Sequence, residues 1–111
     1  MITLDDPPMA DGFAELGACA HVAARLLKLL ANEQRLLLLC RLMDGEASVG
    51  DLASHVQLAQ SATSQHLAKM RAEGLVSTRR EAQTIFYRLA DPNAVKVLAT
   101  LSEIYRGKSP A

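Results

Sequence analysis

The stretch at residues 60–89, QSATSQHLAKMRAEGLVSTRREAQTIFYRL, changes its periodicity partway along. Up to about Glu73 one side of the pattern repeats at helical spacing, and Gly74 then supplies a residue suited to a left-handed helix stop. The side predicted to be buried carries Thr63, Leu67 and Met70. The next two runs, residues 75–80 and 83–89, have the period of β-strands. This stretch therefore predicts a helix that leads directly into a β-hairpin.

Three further helices are predicted upstream of this stretch. Apolar residues repeat at helical spacing over residues 13–30. Asn32 then offers a cap for a second helix, which contains residues 35–43 and has almost no polar face. We therefore expect that helix to be central and buried. Ser48 begins a capping-box pattern for a third helix that runs to about Val56.

One more helix is predicted after the hairpin. Asp91 is placed to cap it, Pro92 fits its first position, and its apolar stripe ends before Gly107. The order α-α-α-α-β-β-α predicts a mainly α fold, an α+β winged helix with five helices and a two-stranded β-hairpin wing. The first and last helices carry wider apolar stripes than so small a chain can cover, so we expect a homodimer formed through them.

The length of the chain limits it to one domain. It has 111 residues, of which 50% are hydrophobic, enough for one core and too few for two. We expect a flexible acidic tail over residues 1–12, a folded domain over residues 13–106 and a flexible tail over residues 107–111. No apolar run approaches the ~20 residues that cross a bilayer, and the acidic start lacks the pattern of a secretory signal. We therefore expect a cytoplasmic protein with no membrane partner.

Charge is balanced overall but unevenly distributed. The chain has 12 Lys and Arg residues against 12 Asp and Glu residues, which argues against a nonspecific polybasic binder. Five basic residues fall within one short segment: Lys69, Arg71, Arg79, Arg80 and Arg88. Such local basic charge is typical of a nucleic-acid footprint. We expect neither an enzyme nor a cofactor, because the chain has no phosphate-binding glycine loop, no HExxH and no recognisable nucleophile motif.

The third helix, the fourth helix and the hairpin follow the order of a helix-turn-helix with a wing, whose second helix enters the major groove. Short uncharged side chains that can hydrogen-bond base edges crowd the first turns of the fourth helix: Gln60, Ser61, Ser64 and Gln65. Lys69 and Arg71 lie farther along and suit phosphates, and His66 suits packing or a phosphate contact. Three residues at the hairpin tip could reach the backbone or the minor groove: Arg79, Arg80 and Gln83.

Each of these features also has a plainer interpretation as a solvated helix face or a solvated turn. Their conjunction in this order favours double-stranded DNA as the partner. A winged helix can alternatively serve as a protein-interaction module, which the zero net charge and the acidic start support slightly. Salt-sensitive, sequence-selective DNA binding distinguishes the two hypotheses.

Four runs resemble the ArsR/SmtB-type winged-helix repressors: LANEQRL at 30–36, QSATSQHL at 60–67, GLV at 74–76 and FYRL at 86–89. The similarity covers about residues 20–106, and the QSxxSQHL pattern is fairly specific. Residues 76–80 and 82–85 are similar to the nodulation-gene repressors and to the biofilm-growth and sulfide-responsive repressors. The resemblance implies a dimer joined through the first and last helices, which binds a partly palindromic operator and represses by blocking polymerase.

Two places depart from the pattern of that family. A glycine and a capping serine are common between the third and fourth helices, whereas Gln57 and Ala59 stand there in this chain. We expect the start of the fourth helix to be less stable by about 1 kcal/mol for this reason. The wing turn reads Glu81-Ala82 where a glycine is common, so a tight primed turn is less favoured.

Many relatives of this type sense metals, but the ligand patterns are missing here. The third helix has no paired cysteines and the fifth has no histidine, so we expect no metal site. The three histidines are on three different helices: His21, His55 and His66.

A thiol switch is the better sensing hypothesis. Cys40 matches one of the two reactive cysteines of the sulfide-responsive relatives, but Arg106 stands where the second is expected. Cys19 is then the one cysteine left to pair with Cys40 in a persulfide- or oxidant-responsive derepressor, provided the two sulfurs can approach. Alternatively, both cysteines are small buried hydrophobes. Binding of a small-molecule inducer is a further hypothesis.

Overall fold

The computed structural model of the chain describes residues 7–108. Within this part the chain forms six helices and three strands: α1 (Pro7–Ala18), α2 (Ala20–Leu30), α3 (Glu33–Met43), β1 (Ala47–Ser48), α4 (Val49–Val56), α5 (Gln60–Ala72), β2 (Val76–Glu81), β3 (Thr84–Leu89) and α6 (Pro92–Tyr105). The winged-helix fold is confirmed, with six helices rather than five. No helix of the described residues is both long enough and apolar enough to span a membrane. The chain divides into two units at Ala31 and Asn32.

The first unit contains two helices where the sequence predicted one. The apolar pattern of residues 13–30 continues across Cys19, but the backbone there leaves the helical region, with φ −107° and ψ 18°. The amide of Cys19 is shared between the carbonyls of Glu15 and Leu16, at 3.2 and 3.0 Å. Side-chain periodicity does not report such a break, because the positions on either side keep their spacing.

The predicted tail over residues 1–12 also differs from the structure, since α1 begins at Pro7. Proline is compatible with the first turn of a helix, where its missing N–H would have no intrahelical partner. Residues 1–6 and 109–111, which complete the two predicted tails, lie outside the described residues.

In the second unit α3 is half buried. Asn32 caps it, its side chain accepting a hydrogen bond from the amide of Arg35 at 3.0 Å. Three of its leucines enter the core: Leu38, Leu39 and Leu42. Leu37, Cys40 and Met43 are exposed instead. The prediction of a fully buried helix is therefore right for one face of α3 only.

The strands form one antiparallel sheet in the order β1-β3-β2. The hairpin of β2 and β3 was predicted, whereas β1 was not. β1 pairs only Ala47 with Tyr87 and Ser48 with Phe86. A strand of two residues is too short to show alternation in sequence, so the three-stranded sheet could not be expected from it. Ala47 is 2% exposed and fills the core side of the sheet.

The core of the second unit lies between the helices and this sheet. Its largest fully buried side chains come from α3, α4, α5 and the residue before β2: Leu38, Leu39, Leu52, Thr63, Leu67, Met70 and Leu75. α6 adds Ala94 and Leu98. Asp91 caps α6 by accepting from the amide of Asn93 at 2.8 Å, and Pro92 stands at the first position, as predicted.

Candidate nucleic-acid interface

α4 has a side-chain cap at its start and a left-handed residue at its end. Its N-cap, Ser48, accepts a hydrogen bond from the amide of Asp51 at 3.2 Å, which is half of the predicted capping box. Its C-cap, Gln57, is left-handed with φ 57° and ψ 44°. Glycine adopts this conformation without strain and glutamine does not. The structure thus places an unfavourable residue at the turn of the helix-turn-helix.

α5 has one buried side and one exposed side. The buried side carries the three predicted residues, Thr63, Leu67 and Met70. The hydroxyl of Thr63 donates to the carbonyl of Ala59 at 3.1 Å, so this buried polar group is satisfied. The geometry leaves the opposite side of the helix open to solvent.

The predicted reading residues share that open side. Gln60, Ser61 and Gln65 are exposed, and Ser64 is partly exposed. Residues four apart on a helix lie above one another, so these four form two neighbouring rows on one face. Ala68 extends the row of Ser64 by one turn and is exposed as well. Sequence reasoning missed it, because an alanine carries no polar signal.

The other predicted contacts of α5 lie around this face. Lys69 and Arg71 are exposed in the last turn of the helix. His66 is partly exposed and lies next to the buried Leu67. The arrangement places polar neutral groups at the start of α5 and cations at its end.

The start of α5 has no side-chain cap. Ala59 occupies the N-cap position with extended backbone, φ −59° and ψ 145°, and its side chain makes no capping hydrogen bond. The first amides of a helix have no intrahelical partner. The N-terminus of α5 therefore presents uncapped N–H groups and the positive end of the helix dipole.

α5 is joined to the wing by a tight stop at Gly74, as predicted. Gly74 has φ 82°, and the amide of Leu75 donates to the carbonyl of Met70 at 2.9 Å. The carbonyl of Leu75 accepts from the amide of Ala90 at 2.9 Å. Leu75 therefore connects the end of α5 to the far end of β3, at the base of the wing.

The wing turn is tight despite the absence of glycine. Glu81 pairs with Thr84, so the turn has two residues, Ala82 and Gln83. Ala82 takes a positive φ of 55°, a conformation that costs an L-residue free energy. The guanidinium of Arg80 donates from Nε to the carbonyl of Ala82 at 3.2 Å, next to the exposed Gln83.

Arg79 is placed differently from the other predicted contacts. It pairs with Phe86 in the middle of β2 and not at the tip. Its Nε donates to both carboxylate oxygens of Glu46, at 2.8 and 2.9 Å, and its Nη2 also donates to Glu46. Sequence reasoning missed Glu46, because its approach to Arg79 depends on the pairing of β1 with β3.

The two cysteines belong to different units, Cys19 to the first and Cys40 to the second, and both are exposed free thiols. Cys40 faces a groove of about 400 Å³ between α3 and α6, lined also by Leu36, Leu98, Leu101, Ser102 and Tyr105. Partial loss of solvent around the sulfur and the nearby carboxylate of Asp44 raise the pKa of the Cys40 thiol. Among the described residues no group of three His, Cys, Asp or Glu side chains is arranged to hold a metal ion.

Residues 32–78 match the model of the arsR family of bacterial regulatory proteins. The chain is 52% identical to the transcriptional activator HlyU of Vibrio cholerae, over 75% of this chain and 77% of the relative. It is also 52% identical to the nodulation protein NolR of Rhizobium meliloti, over 78% of this chain and 70% of the relative.

Solved structures give the same similarity. The transcriptional repressor BigR from Xylella fastidiosa matches with a TM-score of 0.80 and 37% identity, covering 86% of this chain and 97% of that one. A winged helix-turn-helix DNA-binding domain from Mycobacterium bovis, described as homodimeric, matches with a TM-score of 0.69 and 27% identity, covering 86% and 93% of the two chains.

Proposed function

Because this chain belongs to the arsR family of bacterial regulatory proteins, we propose that it acts in the cytoplasm as a homodimeric repressor of a partly palindromic operator. It is a DNA-binding transcriptional regulator and not an enzyme, as its relatives are regulators. The observation that carries the proposal is the exposed polar face of α5. This face is backed by a buried side and followed at once by a basic hairpin.

The first turns of α5 read the bases in this proposal. Serine and glutamine side chains donate and accept hydrogen bonds, and glutamine can bond an adenine edge through two atoms. We assign this role to Gln60, Ser61, Ser64 and Gln65. Ala68 on the same face offers a methyl group, which suits contact with the methyl of thymine.

The remaining exposed polar groups hold the phosphate backbone. Lys69 and Arg71 at the end of α5, and Arg80 and Gln83 at the wing turn, are all exposed. His66 adds a contact at the edge of the face. Backbone contacts of this kind set the position of the protein and add salt-dependent affinity without reading sequence.

A second copy of the chain accounts for the exposed apolar side chains. Phe13, Leu16, Val22 and Leu27 of the first unit are 47–58% exposed, and Ile104 and Tyr105 of α6 are 50% and 64% exposed. Large exposed apolar side chains on each unit suit contact with a partner chain. A two-fold dimer places two α5 helices about 34 Å apart on one side of the duplex, and the Mycobacterium relative is described as homodimeric.

Repression follows from operator occupancy, since a dimer bound over a promoter excludes polymerase. The relative from Xylella is a repressor, whereas the one from Vibrio cholerae is named an activator. The hypothesis that oxidation of Cys40 and Cys19 releases the protein from DNA gains no support. The raised pKa of the Cys40 thiol leaves it less ionised and therefore less reactive. A small-molecule inducer is compatible with the groove beside Cys40.

The proposal is tested by selecting duplexes from a random library with the purified chain and measuring the mass of the complex. We expect a partly palindromic site with half-sites about one helical turn apart and two chains per duplex. Recovery of no enriched sequence, or a monomer at micromolar concentration in light scattering, would contradict it.

A further inference from the structure

The sheet carries a cluster of side chains that the recognition of DNA does not use. Strand residues alternate between the two faces of a sheet, so Arg79 and Phe86, which pair directly, lie on the same face. Phe86 also pairs with Ser48 of β1. Glu46 stands two residues before Ser48 and so projects to that face as well. One row of side chains therefore runs across all three strands.

Arg79 spans this row. Its guanidinium carbon lies 4.7 Å from the centre of the Phe86 ring, a distance at which a cation is attracted to the ring face. Beyond the ring, Nε and Nη2 donate to the carboxylate of Glu46. The side chain of Arg79 thus passes from one edge strand, over the central strand, to the segment that begins the other edge.

The charges around Arg79 oppose a phosphate contact. Besides Glu46, the carboxylate of Glu81 accepts from Nη1 of Arg79 at 3.2 Å. All three nitrogens of the guanidinium therefore donate to carboxylates of the protein itself. The hydrogen bonds from Arg79 hold the pKa of Glu46 below its ordinary value, so Glu46 is charged at neutral pH. A phosphate would have to displace one carboxylate and approach another.

β1 is held to the sheet by few contacts. It pairs with β3 through two residues only, of which Ala47 is also buried in the core, so a side-chain contact across the sheet adds to a short pairing. Ser48 of β1 is also the N-cap of α4. Whatever fixes β1 to β3 therefore fixes the first helix of the helix-turn-helix to the wing.

We propose that Glu46 and Arg79 form a clamp across Phe86 that sets the angle of the wing to the helix-turn-helix, with Arg79 as a positioning residue and not a phosphate contact. The clamp joins both edges of the sheet, and a defined wing angle lets Arg80 and α5 meet one duplex together. This inference rests on the proposed function, because the wing angle matters only to a protein that binds DNA.

The clamp itself is tested without DNA, by hydrogen exchange in the full chain. E46A and R79Q should each speed exchange at least threefold at the amides of residues 47–48 and 84–89. The double variant should exchange no faster than the faster single variant, because both changes break the same contact. R80Q, on the opposite face of β2, is the matched control for β1 and should leave exchange at residues 47–48 unchanged, since the bond that it removes lies at the wing turn. Unaltered exchange in E46A and R79Q overturns the clamp.

The role of Arg79 is tested by binding to the selected operator at several salt concentrations. A positioning role needs the forked guanidinium that bonds both oxygens of Glu46, and lysine keeps only the charge. R79K should therefore lose affinity for the operator as R79Q does, about three- to tenfold. Both variants should keep the salt dependence of the wild type. R80Q should reduce the slope of log affinity against log salt concentration by about one in magnitude, as the loss of a phosphate contact does. Affinity of R79K equal to wild type, or a lower slope in R79Q, overturns the positioning role. Failure of the wild type to bind any operator would contradict the proposed function. The hydrogen-exchange result would still test the clamp, because that experiment needs no DNA.

Discussion

The amide of Leu75 donates to the carbonyl of Met70 at 2.9 Å, and this bond closes α5 at the point where the chain enters the wing. The geometry depends on the intervening Gly74, whose φ of 82° lies in the left-handed region. Leu75 is 1% exposed, so the stop is also anchored in the core. The orientation of the wing therefore starts from a backbone contact at the end of α5.

Gly74→Ala should lower the free energy of unfolding by about 1–2 kcal/mol, because an L-residue is strained at positive φ. A methyl group at this position would meet nothing within 4 Å, so the loss of stability measures backbone strain and not a steric clash. Urea denaturation measures it. Gly50→Ala in α4 is the control and should raise stability by about 0.5–1 kcal/mol, since that glycine is helical. Equal effects of the two changes would contradict the account of the stop.

Ala59→Ser should stabilise the chain by about 1 kcal/mol, because a serine at the uncapped start of α5 can accept from a free amide. The same change at Ala68, inside the helix, should cost about 0.3–0.5 kcal/mol. Thermal denaturation of the two variants separates a capping effect from a general effect of serine. A lower melting temperature for Ala59→Ser would show that Ala59 is not the N-cap.

The hydrogen bonds from Arg79 should keep the pKa of the Glu46 carboxyl below its ordinary value. Because the pKa of Glu46 is lower in the folded state than in the unfolded state, the ion pair with Arg79 stabilises the fold at pH values above the unfolded-state pKa. This stabilisation is lost as the pH falls through the folded-state pKa. Carboxyl NMR titration measures this directly. R79Q should return the Glu46 pKa towards its ordinary value. An unchanged Glu46 titration in R79Q would mean that Arg79 is not the cause.

Cys40→Ser should bind the operator as tightly as the wild type, and peroxide or polysulfide should leave both unaffected. The reason is the raised pKa of Cys40, which lowers the fraction of the reactive thiolate. Cys19→Ser provides the comparison for the other free thiol. Loss of wild-type binding after polysulfide treatment, with Cys40→Ser resistant, would restore the thiol switch.

Much of the fold was predictable because it rests on local patterns. The buried side of α5 and the stop at Gly74 come from periodicity and one glycine, and the caps of α3 and α6 come from Asn32 and Asp91. Some missed features are local, such as the helix break at Cys19. Two others depend on contacts between distant residues. β1 exists through its pairing with β3, and the ion pair of Glu46 with Arg79 joins residues 33 positions apart. Neither the strand pairing nor the ion pair can be predicted from a local sequence pattern.

The central claim is that α5 reads sequence while the wing holds the backbone. Its most direct test is the affinity of Gln65→Ala and Arg80→Ala for the selected operator and for a scrambled duplex of equal length, at several salt concentrations. The account predicts that Gln65→Ala binds the operator about tenfold more weakly and the scrambled duplex unchanged, as loss of a base contact of about 1–3 kcal/mol requires. Arg80→Ala should weaken both equally and lower the salt slope by about one. Equal loss on both duplexes for Gln65→Ala would contradict the claim.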